Sequence, residues 1–293
     1  MKRVIVTGAS GFIGYHLVNE LQKNSIFVYA IVRPNSKNKV RLDNFRNIKI
    51  IELAMQDIGE LPRLIKGKVD VFYHLAWEGD RNDFFVQNKN IEYTLKTLEV
   101  LKKIGCKRLI TTGSQAEYGL HNGVITEDTL AQPNTAYGCA KLAACHLSKF
   151  RAVQLEIEWI WTRIFSVYGQ YDNSNALIPY LIRSIRKGQT PKLTSCMQNW
   201  DFLYASDAAE VLRLLGNKGG AGEVYNIASG DVKPLRYFVE EVRNIIDADA
   251  QVIYGECDRM VVSLNPSIEK IKRQIKWEPR VKFSDGIYDI INS

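Results

Sequence analysis

Residues 2–15 read KRVIVTGASGFIGY. A charged start leads into the β-branched run Val4, Ile5, Val6. The chain then bends at Thr7-Gly8 and enters a helix at Phe12, with glycines at 8, 11 and 14. This reads as strand, phosphate loop, helix. Gly8 lets the chain turn tightly, Gly11 removes the Cβ that would block a diphosphate, and Gly14 lets the helix lie close on the strand. The free N–H groups at the helix N-terminus then face the anion. The spacing G-x-x-G-x-x-G is one residue wider at its front than the commoner fingerprint. It carries weight because it follows a strand and opens a helix.

Working outward, helical spacing of Leu17, Val18 and Leu21 predicts that the helix continues to Asn24, and residues 26–32 form a second strand rich in β-branched residues. Where a dinucleotide-binding unit places an acid to hold the ribose 2′-hydroxyl, this chain has Val32 followed by Arg33. An arginine grips a 2′-phosphate with a charge-assisted hydrogen bond of roughly 1.5–3 kcal/mol, about ten to a hundredfold in affinity. NADP(H) is therefore preferred as cofactor, with NAD(H) possible, and Asn35, Ser36 and Lys37 are further candidates for the phosphate. Strands follow over 47–53, 70–76 and 107–113, with an amphipathic helix over 82–104 carrying Ile91, Leu95, Leu98 and Leu101 on one stripe. Asp57 and Ile58 are placed to line the adenine. His74, inside an apolar strand, reads as a satisfied core histidine, and Trp77 to Asp83 as a loop at the ligand-binding edge of the sheet. Alternation of strand and helix predicts a doubly wound, mostly parallel sheet of the Rossmann type.

The bulk numbers fit this class. With 293 residues, 46% hydrophobic and 24% charged, the chain is long enough for one large α/β body or two lobes. The net charge of +7 is spread among acids, and no zinc, RNP or helix-turn-helix signature accompanies it, so no nucleic-acid partner is expected. Five cysteines without a C-x-x-C pair indicate neither a disulfide framework nor a metal site, and point to a reducing cytoplasm. No apolar run approaches the about eighteen residues of a membrane span. The Lys-Arg start lacks the apolar core and cleavage region of a signal peptide.

The chemistry is expected at Ser114, Tyr137 and Lys141. Residues 134–150 read as a helix, so positions 137 and 141 stand one turn apart on one face. A phenol titrates near pH 10, too high to be useful unless its anion is stabilised, and an ammonium close by lowers that value. The pair then protonates a carbonyl oxygen as hydride arrives, or removes a hydroxyl proton as hydride leaves, while Ser114 orients the same oxygen. Y-x-x-x-K alone is common. The glycine triplet and a strand-end serine 23 residues upstream make it specific.

At these residues the chain resembles the extended short-chain dehydrogenase/reductase family, the nucleotide-sugar epimerases, dehydratases and reductases. The resemblance spans almost the whole chain: GASGFIG at 8–14, Asp57-Ile58, HLA at 74–76, Asn90, GSQAEYG at 113–119, YGCAK at 137–141, RIFSVYG at 163–169 and WDFLYASDAA at 200–209. It implies that Ser114, Tyr137 and Lys141 are catalytic. It also implies a cofactor set of Gly8, Ser10, Gly11, Phe12, Ile13, Gly14, Arg33, Asp57, Ile58, Leu75, Ala76, Asn90, Tyr137, Lys141 and Ile164, with Lys141 on the nicotinamide ribose. The substrate, a nucleoside-diphosphate sugar, would meet Trp77, Ser114, Gln115, Ser166, Asn175, Trp200 and Arg259. Departures narrow the choice. The 4,6-dehydratases carry Thr-Asp-Glu where this chain has Ser114, Gln115 and Ala116, so the acid and base for eliminating water are missing. Many members have an arginine at Trp200, and Arg183, Arg186 or Arg259 are candidates to replace it.

In the second half, a strand is expected from Gln154 through Phe165, a helix over 173–187, a strand over 223–228 that returns to the main sheet, and a short basic helix over 265–279 ending near Trp277. Trp200, Phe202 and Tyr204 suit either a stack on a base or a small core under a loop. Residues 1–165, with the returning strand, form the cofactor domain, and 166–293 mainly a smaller α/β substrate lobe. Helices 82–104 and 134–150 resemble the pair family members use to form a homodimer, although their stripes suit burial within the monomer equally. The combined reading is an NADPH-dependent reductase of a nucleotide-linked 4-keto-6-deoxyhexose in surface-polysaccharide synthesis. GSQAEYG and QNWDFLY resemble sugar ketoreductases of the abequose-synthase kind. The rivals are a 4-epimerase that retains NAD and a non-catalytic NADP sensor.

Overall fold

The computed structural model describes residues 1–257 and 262–292. The first strand, β1 (Arg3–Thr7), leads into α1 (Phe12–Lys23) and β2 (Phe27–Val32). Next come β3 (Ile48–Glu52), α2 (Leu61–Leu64), β4 (Val71–His74), α3 (Phe84–Ile104) and β5 (Arg108–Ser114). A long α4 (Ala136–Leu155) and β6 (Glu158–Ile164) follow. The rest comprises β7 (Ser166–Tyr168), α5 (Leu177–Arg186), β8 (Lys192–Leu193), β9 (Asn199–Trp200), β10 (Phe202–Tyr204), α6 (Ala205–Lys218) and β11 (Glu223–Ile227). The chain closes with β12 (Lys233–Pro234), α7 (Leu235–Ile246), β13 (Ile253–Tyr254), α8 (Glu269–Ile275) and α9 (Phe283–Asn292).

Seven strands form one sheet in the order β11-β6-β5-β4-β1-β2-β3, every neighbouring pair parallel. The order reverses beside β1, which opens a crevice beyond the C-terminal ends of β1 and β4. Side chains alternate between the two faces. Val4 and Val6 join Leu17 and Leu21 of α1, Leu212 of α6 and Ile271 of α8 on one side. Ile5 joins Leu98 of α3, Ala144 of α4 and the stacked pair Trp159 and Trp161 on the other. Burial on both faces explains why these strands read as continuous β-branched runs.

Three elements differ in their boundaries from expectation. The strand anticipated from Gln154 begins at Glu158, because α4 runs on to Leu155 and ends at Glu156 in the left-handed conformation. Arg151 adds a hydrogen bond to Gln154 in that last turn, and the β-branched run starts only at Ile157. The helix anticipated from Asn173 begins at Leu177, since Asn173 instead folds its side chain onto the Asn175 amide at 3.0 Å in a local turn. Asn175 is therefore exposed in a loop, outside the helix. The basic helix expected over 265–279 is the shorter α8.

The returning strand over 223–227 is observed, parallel to β6. Phe202 and Tyr204 pack around Tyr168, with Phe202 also edge-on to Phe238 at 5.2 Å between ring centroids, so these aromatics build a second core rather than a base platform. Among the described residues, no helix is long and apolar enough to cross a membrane.

Candidate active site

The glycine loop is held by close backbone approach. Gly8 has φ +68°, and a Cβ on Gly14 would stand 2.0 Å from the Gly8 carbonyl oxygen, so neither position admits a side chain. No side chain caps α1, which leaves its first N–H groups directed at the crevice. Thr7 Oγ1 accepts from the amides of Leu75 and Ala76, both at 3.2 Å, and fastens the end of β4 beside the loop. The result is a cavity of about 250 Å³ whose lining includes Gly8, Ser10, Gly11, Arg33, Ser36, Asn38, Leu75, Ala76 and Trp77. Glycines where a Cβ would clash, uncapped helical amides and a cation in the lining together fit a dinucleotide.

Several expected cofactor residues do not line this cavity. Phe12 and Ile13 lie on the first turn of α1 outside the cavity lining. Asp57 is exposed and Ile58 fully buried in the core, where its side chain is closed to a ligand. Ile164 is likewise a core residue. Asn90 is buried and clamps Glu78, accepting from its amide and donating to its carbonyl, each at 2.9 Å. Asn35 takes a left-handed φ and donates its amide to Glu52, and Lys37, which opens a short 3-10 turn, is not part of the lining although Ser36 and Asn38 beside it are. Glu52, the acid nearest Arg33 in the sheet register, is neutralised by Lys39 at 2.6 Å. Arg41 was not anticipated. It donates to the Ser10 carbonyl at 3.2 Å and lies over Tyr171, tying the glycine loop to the segment after β7.

His74 is the core histidine expected. Its Nδ1 meets Thr7 Oγ1 at 3.0 Å and its Nε2 meets Thr94 Oγ1 at 3.3 Å, and burial, with Lys141 nearby, pushes its pKa down to about 3.

Ser114, Tyr137 and Lys141 come together at the C-terminal edge of the sheet. Ser114 ends β5 with its hydroxyl on the side of the Tyr137 phenol, and that hydroxyl accepts from the Ala116 amide at 3.2 Å. Thr135 caps α4 on the Gly138 amide, which fixes the first turn that carries Tyr137. Lys141 departs from expectation. Its Nζ donates to the Thr112 carbonyl at 2.7 Å and sits 3.6 Å from the centroid of Trp77, but 5.8 Å from that of Tyr137. Burial draws its pKa down to about 7, opposed by Glu117. The Tyr137 phenol is pushed up, chiefly by burial, with the Ser114 side chain and Arg81 acting the other way. At neutral pH the phenol is therefore protonated.

Beneath Ser114 lies a buried ionic group that no local signal announced. Glu117 Oε1 accepts from the Ser114 amide at 2.8 Å and from Trp161 Nε1 at 2.9 Å, and its Oε2 accepts from Arg163 Nε at 2.8 Å. Gly113 makes room, since a Cβ there would fall 2.3 Å from Glu117 Oε1. Arg163 also lies over the ring of Tyr118, whose hydroxyl donates to Asn226 on β11. The strands on either side are thus cross-linked behind the site.

On the substrate side, Trp77 stands edge-on to Tyr137 and donates to Gln87 at 2.8 Å. Gln115 and Ser166 are half-buried just past the ends of β5 and β6. Trp200 is half-buried between two apolar clusters, with Nε1 shielded and unpartnered. Arg183 and Arg186 donate to the carbonyls of Ser174 and Ile291, each at 2.7 Å. Arg259 lies outside the described residues.

A dinucleotide cradle facing a serine, a protonated phenol and a buried lysine defines an NAD(P)-dependent oxidoreductase of the short-chain type. The profile of the NAD dependent epimerase/dehydratase family matches residues 4–228, and the chain belongs to that family. It is similar to the dTDP-4-dehydro-6-deoxyglucose reductase of Escherichia coli, 25% identical over 99% of this chain and 96% of the relative. Its fold matches UDP-glucuronic acid 4-epimerase of Bacillus cereus, solved with UDP-glucuronic acid and NAD (26% identity, TM-score 0.86, covering 99% and 98% of the two chains). It also matches dTDP-glucose 4,6-dehydratase of Bacillus anthracis in complex with NAD (24% identity, TM-score 0.89, 100% and 96%).

Proposed function

We propose that the protein reduces the 4-keto group of a nucleoside-diphosphate 4-keto-6-deoxyhexose, with NADPH as the preferred reductant. The observation that carries this reading is the gathering of Ser114, Tyr137 and Lys141 at the C-terminal edge of the sheet, where burial pushes the phenol's pKa up and so keeps on it the proton that a ketone oxygen requires. When bound, the nicotinamide supplies the hydride to C4. Tyr137 gives its proton to the 4-oxygen, Ser114 donates a hydrogen bond to that oxygen beforehand, and Lys141 stands ready to exchange its Thr112 contact for the cofactor ribose. Gly8, Gly11 and the amides of α1 take the diphosphate, and Arg33, with Glu52 neutralised by Lys39, takes the 2′-phosphate. Gln115 and Ala116 supply no acid and base for eliminating water, which disfavours dehydration. The reductase relative in Escherichia coli supports the same choice.

The tools of a 4-epimerase overlap with these, and the epimerase structure containing NAD and UDP-glucuronic acid favours that second reading. Residues 1–165 with β11 would bind the cofactor and 166–293 mainly the sugar nucleotide. Phe150 and Val153, each 74% exposed, and Leu147 form an apolar face on α4 that suits pairing with α3 and α4 of a second copy in the cytoplasm.

The test is loss of reduced-nicotinamide absorbance with NADPH or NADH and 4-keto-6-deoxy sugars on different nucleotides, with Tyr137→Phe as control. Stoichiometric NADPH oxidation that disappears in the variant supports the reductase. Interconversion of saturated UDP-sugars without net oxidation would replace it with the epimerase.

A further inference from the structure

Arg81, in the loop between β4 and α3, carries a charge that no group of the described chain neutralises. Its guanidinium carbon lies 4.8 Å from the centroid of the Tyr137 ring, while its carbonyl oxygen accepts from the Tyr137 amide at 3.1 Å. Among the described residues it makes no side-chain hydrogen bond or ion pair. The acids beside it are already engaged: Asp80 accepts from the Asn82 amide at 2.7 Å, and Asp83 caps α3 on Phe85 and Val86.

The loop is also firmly placed. Buried Gln87 donates to the Asp80 carbonyl and receives Trp77 Nε1, both at 2.8 Å, and buried Asn90 holds both backbone groups of Glu78. One side of the loop is thus fixed to α3 and the other, through Arg81 itself, to the first turn of α4.

The groups that face Tyr137 are few. Ser114 comes from β5, Trp77 stands edge-on with centroids 6.2 Å apart, Lys141 follows one turn along α4, and Glu117 lies below. Lys141 is turned to Thr112 and Trp77, and Glu117 is paired with Arg163. Arg81 is the cation left against the ring.

We propose that Arg81 is a positioning residue for proton transfer: laid over the ring, it stabilises the phenolate that remains when Tyr137 has given its proton to the substrate oxygen, and it holds the ring where Ser114 reaches the same oxygen. A cation on an aromatic face is favoured, and the attraction grows when the ring becomes an anion. The inference rests on Tyr137 being the proton donor.

The experiment is an ultraviolet difference titration of Tyr137, taken as wild type minus Tyr137→Phe and as Arg81→Gln minus the Arg81→Gln/Tyr137→Phe double variant. Losing a cation at this distance in partly screened surroundings raises the phenolate midpoint by about one pH unit. With a dTDP-linked 4-keto-6-deoxyhexose and NADPH, kcat of Arg81→Gln falls about tenfold with KM little changed, and Arg81→Lys restores most of both effects. An unchanged midpoint overturns the inference. So does an effect confined to KM, which would make Arg81 a contact for an anionic part of the substrate. Full activity in Tyr137→Phe removes the proton-donor reading itself, and this inference with it.

Discussion

Replacing Glu117 by Gln tests whether the ionic group under Ser114 holds the site together. The two side chains are 0% and 6% exposed, so solvent does not screen them. Glutamine retains one oxygen for the Ser114 amide and Trp161, but turns an amide NH2 toward Arg163 Nε, setting donor against donor. Breaking one side of a buried pair costs about 3–5 kcal/mol, because the remaining charge is left uncompensated. With unfolding entropy of about 2.1 cal/mol/K per residue, a chain of this length has about 0.6 kcal/mol/K, so Tm should fall by about 5–8 °C. Arg163→Met should cost a similar amount. The double variant Glu117→Gln/Arg163→Met should cost clearly less than the two singles added, since no charge is then stranded. Denaturant unfolding of all four proteins measures this. Single-variant losses under about 1 kcal/mol, or strict additivity, would refute the reasoning. The catalytic corollary is a drop in kcat for Glu117→Gln as the end of β5 loosens.

Arg33→Ala should lower the ratio of kcat/KM for NADPH over NADH by about ten to a hundredfold, and an unchanged ratio would show that Arg33 leaves the 2′-phosphate alone. Phe150→Glu with Leu147→Glu should convert a dimer into a monomer in sedimentation velocity, whereas a monomeric wild type would dismiss that face as an interface. His74 gives a pH dependence. Its folded pKa, about 3, lies below the unfolded value, so the unfolded chain takes up a proton first as pH falls. Stability from this group is complete above about pH 6.5 and declines by up to about 1.4 kcal/mol per pH unit below it, toward pH 3. His74→Asn should flatten that slope in urea titrations, and an identical slope would place the acid sensitivity elsewhere.

The sheet was legible because its signals are local. Glycines 8, 11 and 14 stand where backbone approaches backbone, and β-branched runs alternate with helical spacing through β6. Ser114, Tyr137 and Lys141 were legible for the same reason, a strand end and two positions one helical turn apart. The short-range errors arose where a local competitor prevailed: Asn173 bonding its own turn, and α4 continuing through Gln154 before the β-branched run could begin.

Partners across the sheet were not legible. Glu117 and Arg163 are 46 residues apart and meet only because β5 and β6 are neighbours. Arg41 reaches Tyr171, Arg81 reaches Tyr137, and Lys141 turns to Trp77 rather than to the phenol, all through loops that the order of strands brings to one edge. Hydrophobic period and glycine spacing report which side of an element is buried and where a chain can bend. They pointed to the glycine loop and brought Ser114, Tyr137 and Lys141 forward as the candidates for proton transfer. The charges that surround those residues were decided by tertiary structure, because Coulomb energy depends on distance and burial, and neither follows from separation along the chain.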